Sequence, residues 1–160
     1  MNKSKRKIHI TIYLAILISA YLVSKYMFQI MLIQGTSMEP TLKNYQMVIL
    51  NKNVSEVTYG DIISAYCDDV DGVIVKRVIA VSGDAVVIRD GVLYVNEHKS
   101  IYVKNNKDIR YSGCLKKKYV IPDKCYFVVG DNINHSIDSR YDTIGVVPYE
   151  NISGIVICRK

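Results

Sequence analysis

A chain of 160 residues that is 49% hydrophobic and 22% charged can bury one core with at most a small added lobe, and is too apolar for disorder. Its net charge of +6 would invite a nucleic-acid partner, but Lys3, Lys5, Arg6 and Lys7 supply four of the 21 basic residues, so beyond position 7 there remain 17 against 15 acidic ones. A charge gathered at one end, with no basic face interleaved with aromatics elsewhere, argues against nucleic acid.

In chain order, residues 1–7 form a basic tail and 8–28 a membrane anchor. The stretch IHITIYLAILISAYLVS, Ile8 to Ser24, has no formal charge apart from His9 when protonated. As a helix it would be about 26 Å long, and a few flanking residues extend it to a bilayer core of roughly 30 Å. Basic residues precede it and the first acid is Glu39, so the positive-inside rule puts the N-terminus in the cytoplasm and residues 29–160 outside. A cleavable signal peptide shares this composition, but the apolar run exceeds the usual length and no small-x-small cleavage site closes it. A buried core helix is the other alternative.

YMFQIMLIQ, rich in strand formers, reads as a strand leaving the membrane surface. The apolar runs QMVILN, DIISAY, GVIVKRVIAV, AVVIRD, GVLYVN, KYVIP, CYFVVG and GIVICRK then alternate with Gly, Asp, Asn and Ser punctuation. Asp90-Gly91 between two such runs predicts a hairpin with a primed turn. Glu97 to Lys118 reads as loops, within a minimal extra lobe around 85–122. No segment beyond residue 30 shows sustained helical periodicity. The expected fold class is therefore all-β, in antiparallel sheets, with one N-terminal transmembrane helix. Cys67, Cys114, Cys125 and Cys158 would lie where disulfides can form, with three full pairings open, and free buried thiols serve equally well. Their spacing matches no metal site.

Three segments could carry chemistry. In GTSMEPTL, residues 35–42, Ser37 sits in a turn setting, where serine is usually only a turn former. As a nucleophile it would need a base. His9 falls in the anchor and His98 in a polar run, while His135 stands in a polar segment after a strand. In GVIVKRVIAV, Lys76 shares a strand face with Ile74, Val78 and Ala80. Burial among aliphatic groups would favour the neutral amine, whereas Arg77 on the other face cannot deprotonate. A lysine snorkelling from an edge strand is the plain alternative. In GDNINHSIDSR, Ser136, Asp138 and Arg140 are spaced to share a side if extended, and Asp138 could pair with Arg140.

In order and spacing these segments together resemble the type I signal peptidases, membrane-anchored serine proteases with a Ser/Lys dyad, in a Gram-positive-like form. The resemblance spans nearly the whole chain. It implies a signal-peptidase-like β fold akin to that of the SOS repressor peptidases, no cofactor and no metal, and exported preproteins with N-terminal signal peptides as partners beside the lipid bilayer. GTSMEPTL looks like the nucleophile motif, with Ser37 as nucleophile. KRVIAVSGD looks like the motif of the general base, Lys76, and in GDNINHSIDSR the resemblance makes Ser136 orient the lysine while Asp138 and Arg140 form a supporting ion pair. Ile33, Leu42 and Ile74 match positions lining substrate pockets, though as apolar β residues they serve equally well as core. Many members carry an oxyanion-hole serine where this chain has Gly35, which leaves the Ser37 N–H as one donor. The competing expectation is a membrane-anchored, non-catalytic β domain that binds exported proteins.

Overall fold

The computed structural model describes residues 3–103 and 107–157, with side chains from His9 onward. The apolar N-terminal run forms helix α1, Lys3–Met27. Its part from His9 to Met27 is long and apolar enough to cross a membrane, and none of its apolar window is buried inside the molecule. The helix gives way without a linker to β1, Phe28–Leu32. There Phe28, Ile30 and Leu32 alternate with Gln29 and Met31.

The short apolar runs become strands. These are β2 (Met47–Asn51), β3 (Ile62–Cys67), β4 (Gly72–Ala80), β5 (Ala85–Arg89), β6 (Val92–Val95), β7 (His98–Lys99), β8 (Tyr119–Val120), β9 (Cys125–Val129), β10 (Val147–Pro148) and β11 (Ile152–Ile157). They assemble into a seven-stranded sheet, ordered β1-β2-β11-β3-β4-β9-β10, and a four-stranded sheet, β7-β6-β5-β8. All pairings are antiparallel. Asp90 and Gly91 join β5 to β6, and both have positive φ (47° and 72°), as a type I′ turn requires. Beyond residue 30 the described helical segments are 3₁₀ turns of three or four residues.

The core has three parts. Ile79, Val86, Leu93, Ile121 and Phe127 fuse the two sheets. Ile63, Ala65, Val78, Val128 and Val147 pack together, with Ile74 and Tyr126 against them. Ile33, Met38, Leu42, Val48, Leu50 and Val156 clamp the turn after β1 onto β2 and β11. That last cluster positions the site, because it anchors both ends of the GTSMEPTL segment.

Cys67, Cys114 and Cys125 are free thiols, and Cys158 lies outside the described residues. Burial pushes the thiols of Cys114 and Cys125 up, which keeps them protonated and poorly nucleophilic.

Candidate active site

The chain between β1 and β2 closes on itself. Tyr45 N–H donates to the Ile33 carbonyl at 2.8 Å, Ile33 N–H to Gln46 O at 2.9 Å, and Gly35 N–H to Asn44 Oδ1 at 2.9 Å. Gly35 takes φ +97°, a conformation that side-chain-bearing residues rarely adopt. A cis Glu39–Pro40 bond lies within the turn. Met38 and Leu42 plunge into the core, and Ser37, between Gly35 and Met38, is half-buried at the mouth of a cleft of about 350 Å³.

Lys76 enters from β4. Register places it opposite Ile63, at the point where the strand changes partners, since β9 pairs with β4 only from Arg77 onward. Its side chain is only 6% exposed, and Nζ lies 2.8 Å from Ser37 Oγ. Burial lowers the pKa of the amine, opposed by the nearby charge of Asp138. A neutral amine at that distance can accept the hydroxyl proton, which is the geometry of a nucleophile and its base.

The third segment follows β9. Asp138 and Arg140, both essentially inaccessible, form a two-point ion pair, with Nε–Oδ1 at 2.7 Å and Nη2–Oδ2 at 2.9 Å. Arg140 also donates to the carbonyls of Ile133, Ser136 and Tyr111, and Asp138 accepts from the Gly130 N–H at 3.1 Å. This satisfies nearly every donor of a buried guanidinium. Ser136 is buried beside the site, but its hydroxyl has no hydrogen-bond partner and makes no bond to Lys76. Gly130 explains the tight fit, for a Cβ there would lie 2.3 Å from Ser136 Oγ and 2.4 Å from the Ser37 carbonyl oxygen.

Of the three apolar pocket candidates, Ile33 and Ile74 line the cleft with Met31, Gln34, Met38 and Val75, and Leu42 is core. His135 is exposed and bonds Asn132 Oδ1 through Nδ1 at 3.1 Å, with no bond to Ser37. His98 is exposed on β7 in the second sheet.

Sequence reasoning missed a second ion pair. Arg77 makes a bidentate bond to Asp131, both contacts at 2.6 Å, and donates to Gly60 O at 2.7 Å. The Thr41 hydroxyl donates to the same carboxylate. One buried acid therefore ties β4 to the turn after β1. Its signal in the sequence was a basic residue next to Lys76 and an acid next to Gly130, but nothing local said that they meet.

No group of His, Cys, Asp and Glu among the described residues could hold a metal ion. A solved signal peptidase I from Enterococcus faecalis V583 is 26% identical, with a TM-score of 0.49 over 66% of this chain and 100% of that one. Signal peptidase I S of Bacillus subtilis (strain 168) is 34% identical over 167 residues, covering 96% of this chain and 89% of that protein. Signal peptidase I of Bacillus licheniformis is 33% identical over 160 residues, covering 93% and 82%. A family model described as signal peptidase, peptidase S26, matches residues 6–159. With a serine and a buried lysine joined at hydrogen-bond distance and that match spanning nearly its whole length, the chain belongs to the signal peptidase family, peptidase S26.

Proposed function

We propose that the chain removes signal peptides from exported preproteins, with Ser37 as nucleophile and Lys76 as general base. The observation that carries this reading is the 2.8 Å separation of Nζ and Oγ with the amine buried. Neutral Lys76 takes the hydroxyl proton as Oγ attacks the scissile carbonyl, then delivers it to the leaving amine, and water releases the acyl-enzyme. The Ser37 N–H, unpartnered among the described residues, serves as oxyanion donor.

The cleft suits an extended peptide. β1 is an edge strand, and among the described residues Gly72–Lys76 of β4 lacks a strand partner on its β9 side. A substrate strand can therefore draw backbone hydrogen bonds from the cleft walls while Ile33 and Ile74 contact its side chains. The proposed division is a cytoplasmic tail over 1–7, an anchor over 8–28 and an extracytoplasmic catalytic domain over 29–160, in which the sheet formed between residues 85 and 120 is a small non-catalytic lobe. The buried amine within hydrogen-bond distance of its serine favours this reading over a non-catalytic binding domain.

The test is incubation of the detergent-solubilised protein with a preprotein, mapping the new N-terminus by mass spectrometry. Ser37→Ala should abolish cleavage. Lys76→Arg keeps the charge but cannot accept a proton, so kcat should fall by about 10²–10⁴-fold, and appreciable turnover by that variant would refute the assignment. Protease accessibility in sealed cells tests the topology, residues 29–160 being digested from outside.

A further inference from the structure

The peptide planes on both sides of Ser37 are held by one residue of the third segment that neither sequence reasoning nor the dyad accounts for. The Asn132 N–H donates to the Ser37 carbonyl at 2.9 Å. The Asn132 Nδ2 group donates to the Thr36 carbonyl at 3.2 Å. Thr36 O also accepts from Glu39 N–H at 3.1 Å, within the turn itself. A trans peptide is planar, and its C=O and N–H point in opposite directions. Fixing Thr36 O therefore aims the Ser37 N–H, which belongs to the same plane, away from the loop after β9. Fixing Ser37 O sets the next plane in the same way.

The Thr36 carbonyl fixes the orientation of the Asn132 amide. Because that oxygen can only accept, the NH₂ group faces it, and Oδ1 is left 3.1 Å from His135 Nδ1, where the tautomer protonated at Nδ1 can donate to it. His135 N–H also donates to Asn132 O at 2.8 Å, so the two residues form one closed turn. The close approach at Gly130 brings this turn against the Ser37 carbonyl.

We infer that Asn132 is a positioning residue for the oxyanion donor: its side chain holds the Thr36–Ser37 peptide so that the Ser37 N–H faces the carbonyl oxygen of a bound substrate. The inference rests on the serine–lysine reading. An interaction realised mainly as charge develops on that oxygen lowers kcat when lost and leaves KM nearly unchanged.

The experiment uses the full chain in detergent with a preprotein substrate and compares Asn132→Ala, Asn132→Asp and Ser37→Ala. Asn132→Ala should lower kcat about 10- to 100-fold, with KM within about twofold and the pH at half-maximal kcat unmoved, because Lys76 is untouched. Asn132→Asp still accepts from His135 but turns an acceptor toward Thr36 O, so it should be at least as impaired as the alanine variant. A role confined to ordering the loop predicts the reverse, with the aspartate variant near the original activity, and that result overturns the inference. For Asn132→Ala, loss expressed mainly in KM, or a shifted pH profile, overturns it as well. Both asparagine variants at full rate while Ser37→Ala is dead overturn this inference alone; an active Ser37→Ala overturns the dyad reading together with it. Thermal unfolding of each variant guards against misfolding, and His135→Ala provides a second handle, with an expected fall of about two- to fivefold in kcat that disappears in the Asn132→Ala background.

Discussion

Lys76 is the residue whose surroundings do the most. An ammonium loses its water on entering a site that is 6% exposed, and the pull of Asp138 only partly offsets that loss, so the amine's pKa falls below its ordinary 10.5. The folded state then binds fewer protons than the unfolded chain between the lowered pKa and 10.5, so stability increases with pH across that window and is at its lowest below it. Activity follows the same protonation, with kcat/KM rising as pH climbs through the lowered value and the acid limb reporting Lys76. Lys76→Met should therefore abolish cleavage and, at neutral pH, stabilise the fold by about 1–3 kcal/mol by removing a poorly solvated cation, which denaturant unfolding would register. Equal or lower stability of that variant would mean that the lysine is not held under electrostatic strain. Gly35 makes a separate prediction. A Cβ there would touch nothing within 4 Å, so Gly35→Ala tests φ +97° alone, and it should cost about 1–3 kcal/mol despite the open space.

At the scale of elements, the site is the meeting of β4, the turn after β1 and the loop after β9; the Arg77–Asp131 pair, with Thr41, fastens them, and the buried Asp138–Arg140 pair braces the loop itself. Asp138→Asn leaves the Arg140 guanidinium buried with half its compensation, for an expected loss of about 3–5 kcal/mol in urea unfolding. The acid limb of the activity profile should also move to lower pH, because the charge that raises the Lys76 pKa is gone. The long strands were legible because their apolar runs of four or more residues are bounded by Gly, Asp and Asn, and because Asp90-Gly91 dictates its own turn. β7 and β10 were not, since two residues carry no periodicity. The same limit governs the site. The positions of Ser37 and Lys76 could be read from motifs, and Asp138–Arg140 from their spacing. The Arg77–Asp131–Thr41 link depends on β9 arriving beside β4 at Arg77, a fact of register between two residues, Arg77 and Val129, that are far apart in the chain. Leu42 reads the same as Ile33 in sequence, and both join one buried cluster, but only the fold of the turn makes Ile33 line the cleft as well.

For the whole molecule, the decisive feature is a sheet face that stays apolar on the outside. Cross-strand register sets Ile30 opposite Ile49 and Ile49 opposite Ile157, with Leu32 opposite Met47, and every one of these side chains is exposed. Phe28 joins them where α1 ends. Such a ladder on an edge strand would be an aggregation hazard in water. Here it begins one residue after a membrane-length helix, beside Tyr21 and Lys25, residue types that favour the membrane–water interface. Under the proposed topology this face rests on the outer leaflet, where burying each large aliphatic side chain contributes about 1.5–3 kcal/mol. The cleft opens from the same edge, since Met31 and Leu32 of β1 form part of its wall. A substrate emerging from the bilayer would then meet Ser37 without leaving the surface. Replacing Ile30 and Ile49 together with glutamate in the full chain separates these contributions. Cleavage of a short soluble peptide should be unchanged, because neither side chain touches the dyad, while cleavage of a preprotein embedded in vesicles should fall about tenfold or more. Equal rates on both substrates relative to the unmodified chain would show that the face has no part in seating the enzyme, and a matching loss on both would show instead that the pair holds the sheet together.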